Sequence, residues 1–505
     1  MNLQTRVFDR LFRFASRCAV ALCFSGFGSC LVAAPAPPTR EPLVRVADFA
    51  VGETQEVRLS DGSKARVKLV EVNEEVDSIR RAVRQARVKV EVNGSTVELK
   101  SGNYNLPVAV GGVRIDCSVT RGYNTNSGED AWGLLKDARL RLWAGTGPLI
   151  AEGTFTYPLK QRWFASGSQM ANEPTHVDGG EQTLNKKIYY HNDLDFGGCE
   201  GMVEVVAATN GLVVSAGTSS LPGYADTPTR PRYDVVYVLD DRGWYYRYSH
   251  LFSIDSAIQP GAVIKMGQKI GVLGKEGGSG GWSHLHFGIK SRQPSGKWGT
   301  QEAYAFVWEA YVRQNKPRVI AVARPHRFAG VGEVVTLDGS KSWSAAGKIA
   351  RYDWTLTDGA AAKGAVVQRR YEKPGVYSEI LKVTGEDGAI GYDFAVVHIV
   401  DPTQPSQLPP SIQAAYAPSL GVRAGDPVTF KVRTFRTTDG TETWNFGDGS
   451  PPVTVQSDGN VKTLAKDGFA VTQHRFGQPG DYIVRVERSN ARGEKAMAHL
   501  YVRID

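Results

Sequence analysis

Five residues in three stretches of this chain are of the types that hold a divalent cation and move protons. His191-Asn192-Asp193-Leu194-Asp195 is an H-x-x-x-D set, Tyr248-Ser249-His250-Leu251 carries a third histidine, and His284-Leu285-His286-Phe287 is an H-x-H set. On a strand the side chains alternate faces, so the two imidazoles of H-x-H point the same way with Cβ atoms about 6–7 Å apart. Both can reach one ion, or one can hold the ion while the other holds its water. Imidazole and carboxylate are preferred ligands of Zn²⁺, and a catalytic zinc keeps three protein ligands plus a water, with two histidines and a carboxylate an established set. Five candidate groups exceed three ligands. The surplus leaves two histidines for proton transfer and charge stabilisation, which favours an enzyme over a structural site. A lone H-x-H is weak evidence, because paired strand histidines are often just exposed or hydrogen-bonded; the three elements in this order are far stronger. His176, His326, His398, His474 and His499 have no partner pattern and read as structural or surface residues.

The elements that must position these groups belong to a multi-domain chain. At 505 residues it exceeds what one hydrophobic core supports, and three or four domains are expected. A 41% hydrophobic and 22% charged composition fits folded globular protein and excludes a disordered or multi-spanning membrane chain. Frequent glycine and proline with 10% aromatics fit turn-rich β structure. The net charge of +8 is scattered, with no polybasic block of the kind that binds nucleic acid.

Arg6, Arg10, Arg13 and Arg17 precede an apolar run from Cys18 to Ala34 that ends in small residues before a proline. This reads as a secretory signal peptide over residues 1–34, and predicts an exported protein in the periplasm, cell envelope or extracellular space. Removing it takes away four arginines and Asp9 and leaves an excess of +5. An alternative takes Gly28-Ser29-Cys30 as a lipoprotein processing site that leaves Cys30 acylated, although Phe27 stands where such sites usually carry leucine. No other stretch is long and apolar enough to cross a bilayer. Beyond the signal only Cys117 and Cys199 remain, either as one disulfide or as two separately buried thiols.

Residues 35–155 read as a β-rich domain without legible chemistry. An Asp61-Gly62 turn predicts a hairpin, a short helix is expected from Asp77 to Gln85 with Ile79 and Val83 on one face, and strands resume through Val88–Val92, Thr96–Leu99, Val108–Val119 and Ala138–Trp143. Residues 156–315 hold the histidine sets and close with a helix expected from Gln301 to Arg313. Two β modules follow, 318–401 and 409–505, joined by the proline-rich, semi-rigid linker Asp401 to Pro410. Each has a tryptophan on a strand, an Asp-Gly turn and a Pro-Gly turn feeding an alternating strand: Trp354, Asp358-Gly359 and Pro374-Gly375 in one, Trp444, Asp448-Gly449 and Pro479-Gly480 in the other. They resemble polycystic-kidney-disease (PKD) domains, which are immunoglobulin-like sandwiches, although the first lacks the glycine of the second's Trp444-Asn445-Phe446-Gly447-Asp448-Gly449 turn. That resemblance implies spacing or substrate adhesion.

From about 187 to 290 the chain resembles the lysostaphin-type zinc endopeptidases. Besides the three histidine elements, Gly201 to Ala208 followed by Gly211 to Gly217 is similar to that family's G-x-x-V-x-A-x-x-x-G-x-V, slightly expanded. Gln259 to Gly271 matches its glycine-rich turn stretch, and Gly277 to Gly281 leads into Ser283-His284-Leu285-His286. The resemblance implies a compact antiparallel β catalytic domain in a mainly β protein. It also implies Zn²⁺ bound by His191, Asp195 and His286, with His250 and His284 as the two catalytic histidines that do not ligate. Which of them is the base and which the oxyanion stabiliser stays open. Asp193 departs from the family's usual glycine, and no counterpart appears of the tyrosine that some members use near the oxyanion. The implied substrate is a peptide bond in peptidoglycan, at a D-Ala cross-link or a glycine-containing bridge, with Gly-rich proteins as a further class. Two competing readings are a metal-free relative acting as an activator or adhesin, and a binding chain whose PKD-like units supply the function. The upstream stretch Gly122 to Ser127 reads as a surface loop, with an inhibitory segment covering the metal's open position as the alternative.

Overall fold

The computed structural model describes residues 35–102, 104–125, 130–167, 190–224 and 226–505. The expected leader 1–34, His176 and the end of the 122–127 stretch lie outside the described residues. Among the described residues no helix is long and apolar enough to cross a membrane.

The N-terminal part is two four-stranded antiparallel sheets. One runs in the order Arg45–Phe49, Ala138–Ala144, Val113–Thr120, Val108–Val110, and the other Thr54–Arg58, Lys64–Val76, Val83–Val92, Ser95–Lys100. Strict alternation builds the second sheet: Ala65, Val67 and Leu69 are buried while Lys64, Arg66 and Lys68 face solvent. The expected hairpin forms, with Val57 opposite Ala65. The inner faces close on a shared core that includes Phe49, Val67, Val88 and Leu140.

The helix expected over Asp77 to Gln85 does not form. The Lys64–Val76 strand runs into a turn and the chain re-enters the sheet at Val83. The Asp77 side chain accepts the amides of Ile79 and Ala82, at 3.0 and 3.3 Å, and its own amide donates to Ala82 O at 3.0 Å. The Ile79 bond is one a helix N-cap would also make, but the Ala82 amide that a helix would send to Ser78 O goes to Asp77 instead, and Arg81 is left-handed at a φ of 58°, so the chain closes a turn in place of a helix. Ile79 and Val83 part company, the first packing with Phe328 and Val400, the second with Tyr123, Trp132 and Tyr190.

The sheet that carries the histidines is centred on His284–Arg292. Tyr245–Ser249 pairs along one edge, and the other edge is shared by Leu194–Gly197 and Trp298–Thr300. Val236–Leu239 and Gly211–Ala216 extend it outward. On the inner face Leu285, Phe287 and Ile289 join Tyr246, Tyr248, Phe155 and Phe306 in one core. The helix expected near 301–313 forms at Tyr304–Asn315 and stops at Lys316, whose φ of 46° is left-handed. Cys117 and Cys199 are separate buried thiols in different cores, and burial pushes both up to about 12.

The C-terminal half is two β-sandwiches with Trp354 and Trp444 buried at their centres. They are not strung loosely on the linker. Val376 of the first pairs in parallel with Ala496 of the second, so a single nine-stranded sheet runs through both. The second sandwich also grips the loop before His284. Gln413 exchanges two hydrogen bonds with the Ser283 backbone, each 2.7 Å. Arg433 donates to Gly281 O at 3.1 Å, and the Trp282 ring stacks on Phe435 with centroids 4.2 Å apart and planes 7° from parallel.

Of the histidines outside the site, His398 and His499 are buried in this half and His326 is half-buried. Burial pushes His326 and His499 down to about 3, and lowers His398 as well. An unfolded imidazole protonates at about 6.5, so between roughly pH 6.5 and 3 the unfolded chain binds more protons, and stability is lost as pH falls through that window. The unfolding midpoint followed by circular dichroism is expected to drop steadily from pH 7 to 4. His499→Phe, which retains a ring against Phe394, should flatten part of that slope; an unchanged slope would remove His499 from the account.

Candidate metal centre and active site

Antiparallel pairing of Leu194–Gly197 with the start of His284–Arg292 sets Asp195 directly opposite His286. His191 comes in from the segment just before. His191 Nε2, Asp195 Oδ1 and His286 Nδ1 form a triangle with edges of 3.0, 3.0 and 3.1 Å. Bonds of about 2.0 Å in a tetrahedron require ligand atoms about 3.3 Å apart, so the triangle is close to one face of such a site, and the donor types are those zinc prefers. Burial pushes the Asp195 carboxyl up, but the His191 and His284 imidazoles more than offset it and hold Asp195 well below the usual carboxylate range. Three ligand atoms this close need a positive charge among them, and a divalent cation supplies it without sharing protons. These residues fit a metal.

A second layer fixes His286. Its other nitrogen, Nε2, lies 3.3 Å from Asp193 Oδ2. With Nδ1 turned into the triangle, Nε2 carries the proton, and a carboxylate behind a ligand imidazole sets exactly that tautomer and orientation. Asp193 is fully enclosed. Lys290 Nζ sits 2.9 Å from Oδ2 and 3.0 Å from Oδ1, where Thr300 Oγ1 also donates at 3.2 Å. Burial alone would raise the Asp193 carboxyl, yet Lys290 and His286 bring it far below its ordinary value. Gly288 makes the room, since a Cβ there would lie 2.3 Å from Asp193 Oδ2. Asp193 itself has a φ of 75°, the left-handed backbone that glycine adopts freely.

His284 and His250 stand over the triangle, their ring centroids 4.7 Å apart. His284 Nδ1 donates to Trp282 O at 3.0 Å, leaving the Nε2 lone pair 3.4 Å from Asp195 Oδ2. Burial and the neighbouring imidazoles, opposed by Asp195, push His284 down to about 3, so it is neutral at pH 7. His250 lies at the end of Tyr245–Ser249 with a φ of 66°, its amide donating to Asp234 Oδ2 at 3.0 Å. Its Nδ1 donates to Glu276 O at 2.6 Å and lies 3.5 Å from Asp234 Oδ2. Burial lowers His250 too, partly opposed by Asp234. Both imidazoles thus have Nδ1 tied to a backbone carbonyl, which leaves Nε2 as the working atom.

All five sequence-predicted residues come together here. Of the supporting groups the sequence reading marks only Asp193, as a departure from glycine, although alternation along His284, His286, Gly288 and Lys290 puts all four on one face. Nothing local points to Asp234 behind His250. The Gly122–Thr125 segment is a short helix, not an open loop, and its Tyr123 packs edge-on against Tyr190 at 5.1 Å, one residue before His191.

Residues 189–297 match the peptidase family M23, and residues 315–399 and 412–502 each match the PKD domain. The chain carries an M23 peptidase domain, of the lysostaphin-type family, followed by two PKD domains. Among solved structures, Helicobacter pylori Csd3 is similar at 13% identity, over 48% of this chain and 82% of that one, with a TM-score of 0.18. The fibronectin(III)-like modules of Clostridium thermocellum CbhA are similar at 10% identity, over 37% and 94%, with a TM-score of 0.15.

Gly288→Ala tests the layer behind the ligands. It should force the Asp193 carboxylate off His286 and weaken metal binding by about 10–100-fold, read by competition with a chromophoric chelator. Gly477→Ala, where an added Cβ meets nothing within 4 Å, should leave affinity unchanged. Equal affinities in the two variants would show that Asp193 does not support the site.

Proposed function

We propose that this M23 peptidase is an exported zinc endopeptidase that hydrolyses peptide bonds in the cross-links or bridges of peptidoglycan. The observation that carries the reading is the triangle of His191, Asp195 and His286 with two further imidazoles held over it. His191, Asp195 and His286 would hold the zinc, and a zinc ion bound there supplies an acidified water and a polarised carbonyl.

The chain's own residues do the rest. His284, with Nδ1 tied to Trp282 O and its Nε2 lone pair facing the triangle, is placed to accept a proton from the attacking water and pass it to the leaving amine. His250 faces the substrate carbonyl on the other side, and Asp234 behind it stabilises any positive charge it takes on as it supports the developing oxyanion. Asp193 keeps the His286 proton on Nε2. The sequence leader and the two PKD domains support a location outside the cytoplasm, and the small positive excess favours an anionic wall.

Two substitutions separate the roles. His191→Ala is expected to lose bound zinc and activity together, whereas His284→Ala should retain about one zinc per chain and lose turnover by 10²–10⁴-fold. Mass analysis of muropeptides released from purified wall by the wild type, with His191→Ala as control, identifies the bond. Full turnover by His284→Ala would end its assignment as the base, and release of the same fragments by His191→Ala would end the metal mechanism.

A further inference from the structure

A cleft of about 380 Å³ opens beside the metal triangle, with His250 and His286 at its inner end. Its walls are unusually basic, with Arg230, Arg232, Arg247 and Lys290 set against Asp130. Most of these charges are already matched. Arg232 forms a forked pair with Asp234, Lys290 is held by Asp193, and Asp130 accepts from Lys297 Nζ at 3.0 Å. Arg230 Nη1 donates to the backbone carbonyls of Thr227 and Thr229 at 3.0 and 2.8 Å.

Arg247 differs. It lies on Tyr245–Ser249, on the face opposite the core residues Tyr246 and Tyr248, and pairs across the sheet with Gly288. That places its guanidinium beside His286, with Nη1 3.5 Å from Nε2. With a metal on Nδ1 and the Nε2 proton directed at Asp193, His286 would have no lone pair to offer Arg247. No carboxylate pairs with Arg247 among the described residues, and its Nε is buried without a hydrogen-bond partner there. A half-buried guanidinium with a donor group shielded from water and no anion is costly, and its rigid fork of N–H groups matches a carboxylate.

We propose that Arg247 binds a carboxylate of the substrate next to the bond that is cut. The preferred substrates are therefore anionic peptides, with a free α-carboxyl or an acidic side chain beside the scissile bond, and neutral glycine bridges are poor ones. This rests on the peptidase reading of the site and narrows its substrate class.

The test compares the zinc-loaded full chain and its R247Q and R247K variants on purified peptidoglycan and on the same material with its carboxylates amidated. The wild type should favour the native material by about tenfold or more. R247Q should lose most of that preference while keeping its zinc, and R247K should fall between, having the charge without the fork. A wild type indifferent to amidation, or an R247Q as selective as the wild type, would overturn the proposal. Binding of N-acetyl-D-alanine and of N-acetyl-glutamic acid α-amide, each against its fully amidated counterpart, is measured by calorimetry on the same proteins. This arm separates an α-carboxyl from a side-chain carboxylate. It also decides the matter if no wall is cut: acid-selective binding that R247Q abolishes upholds the subsite while the hydrolase reading falls, and binding unaffected by R247Q removes the subsite.

Discussion

The centre depends on one register. Asp195 lies opposite His286 across an antiparallel pair, and the three candidate ligand atoms come within 3.0–3.1 Å only because of that alignment. A slip of one residue would turn Asp195 toward the core and bring Leu194 or Phe196 to the ligand face. The register is held from the other side by burial: Leu194 and Phe196 are enclosed in the same core as Leu285 and Phe287. Apolar packing on the inner face thus specifies polar geometry on the outer one, and neither strand can move without exposing what the other covers.

Electrostatically the site is layered. Positive charge belongs in the triangle, and the groups behind it are arranged as matched pairs, Asp193 with Lys290 and Asp234 with Arg232. Each carboxylate faces an imidazole on one side and a fixed cation on the other. It can orient the ring without drawing the proton off it. Carbonyl oxygens of Trp282 and Glu276 set the tautomers of the other two histidines by the same logic.

The five histidine and aspartate candidates that the fold brings together were legible because their spacing is a local property. H-x-H needs only a strand, and H-x-x-x-D followed by a later histidine pair is readable without knowing how the segments meet. The sandwiches were legible for a similar reason, through a tryptophan, an Asp-Gly turn and a Pro-Gly turn repeated in each. What was hidden lies in contacts between distant segments. Asp77 looked like part of a helix because Ile79 and Val83 share a helical face, yet its own side chain captures the amides of that turn and the two apolar residues enter different cores. Asp193 looked like a simple replacement of glycine, and its meaning depends on Gly288 and Lys290 nearly a hundred positions away. The parallel pairing of Val376 with Ala496 has no sequence signature, since strand alternation says nothing of which edge a strand will join.

The grip of Gln413, Arg433 and Phe435 on the loop at 281–283 bears on the order in which the molecule matures. The polypeptide is synthesised from its N-terminus, so the histidine strand emerges well over a hundred residues before the partners that brace the turn leading into it. Until those later strands have folded, the residues just ahead of His284 lack a rigid backing. A chain arranged in this way completes the backing of this site late, once the second sandwich has folded against the turn at 281–283.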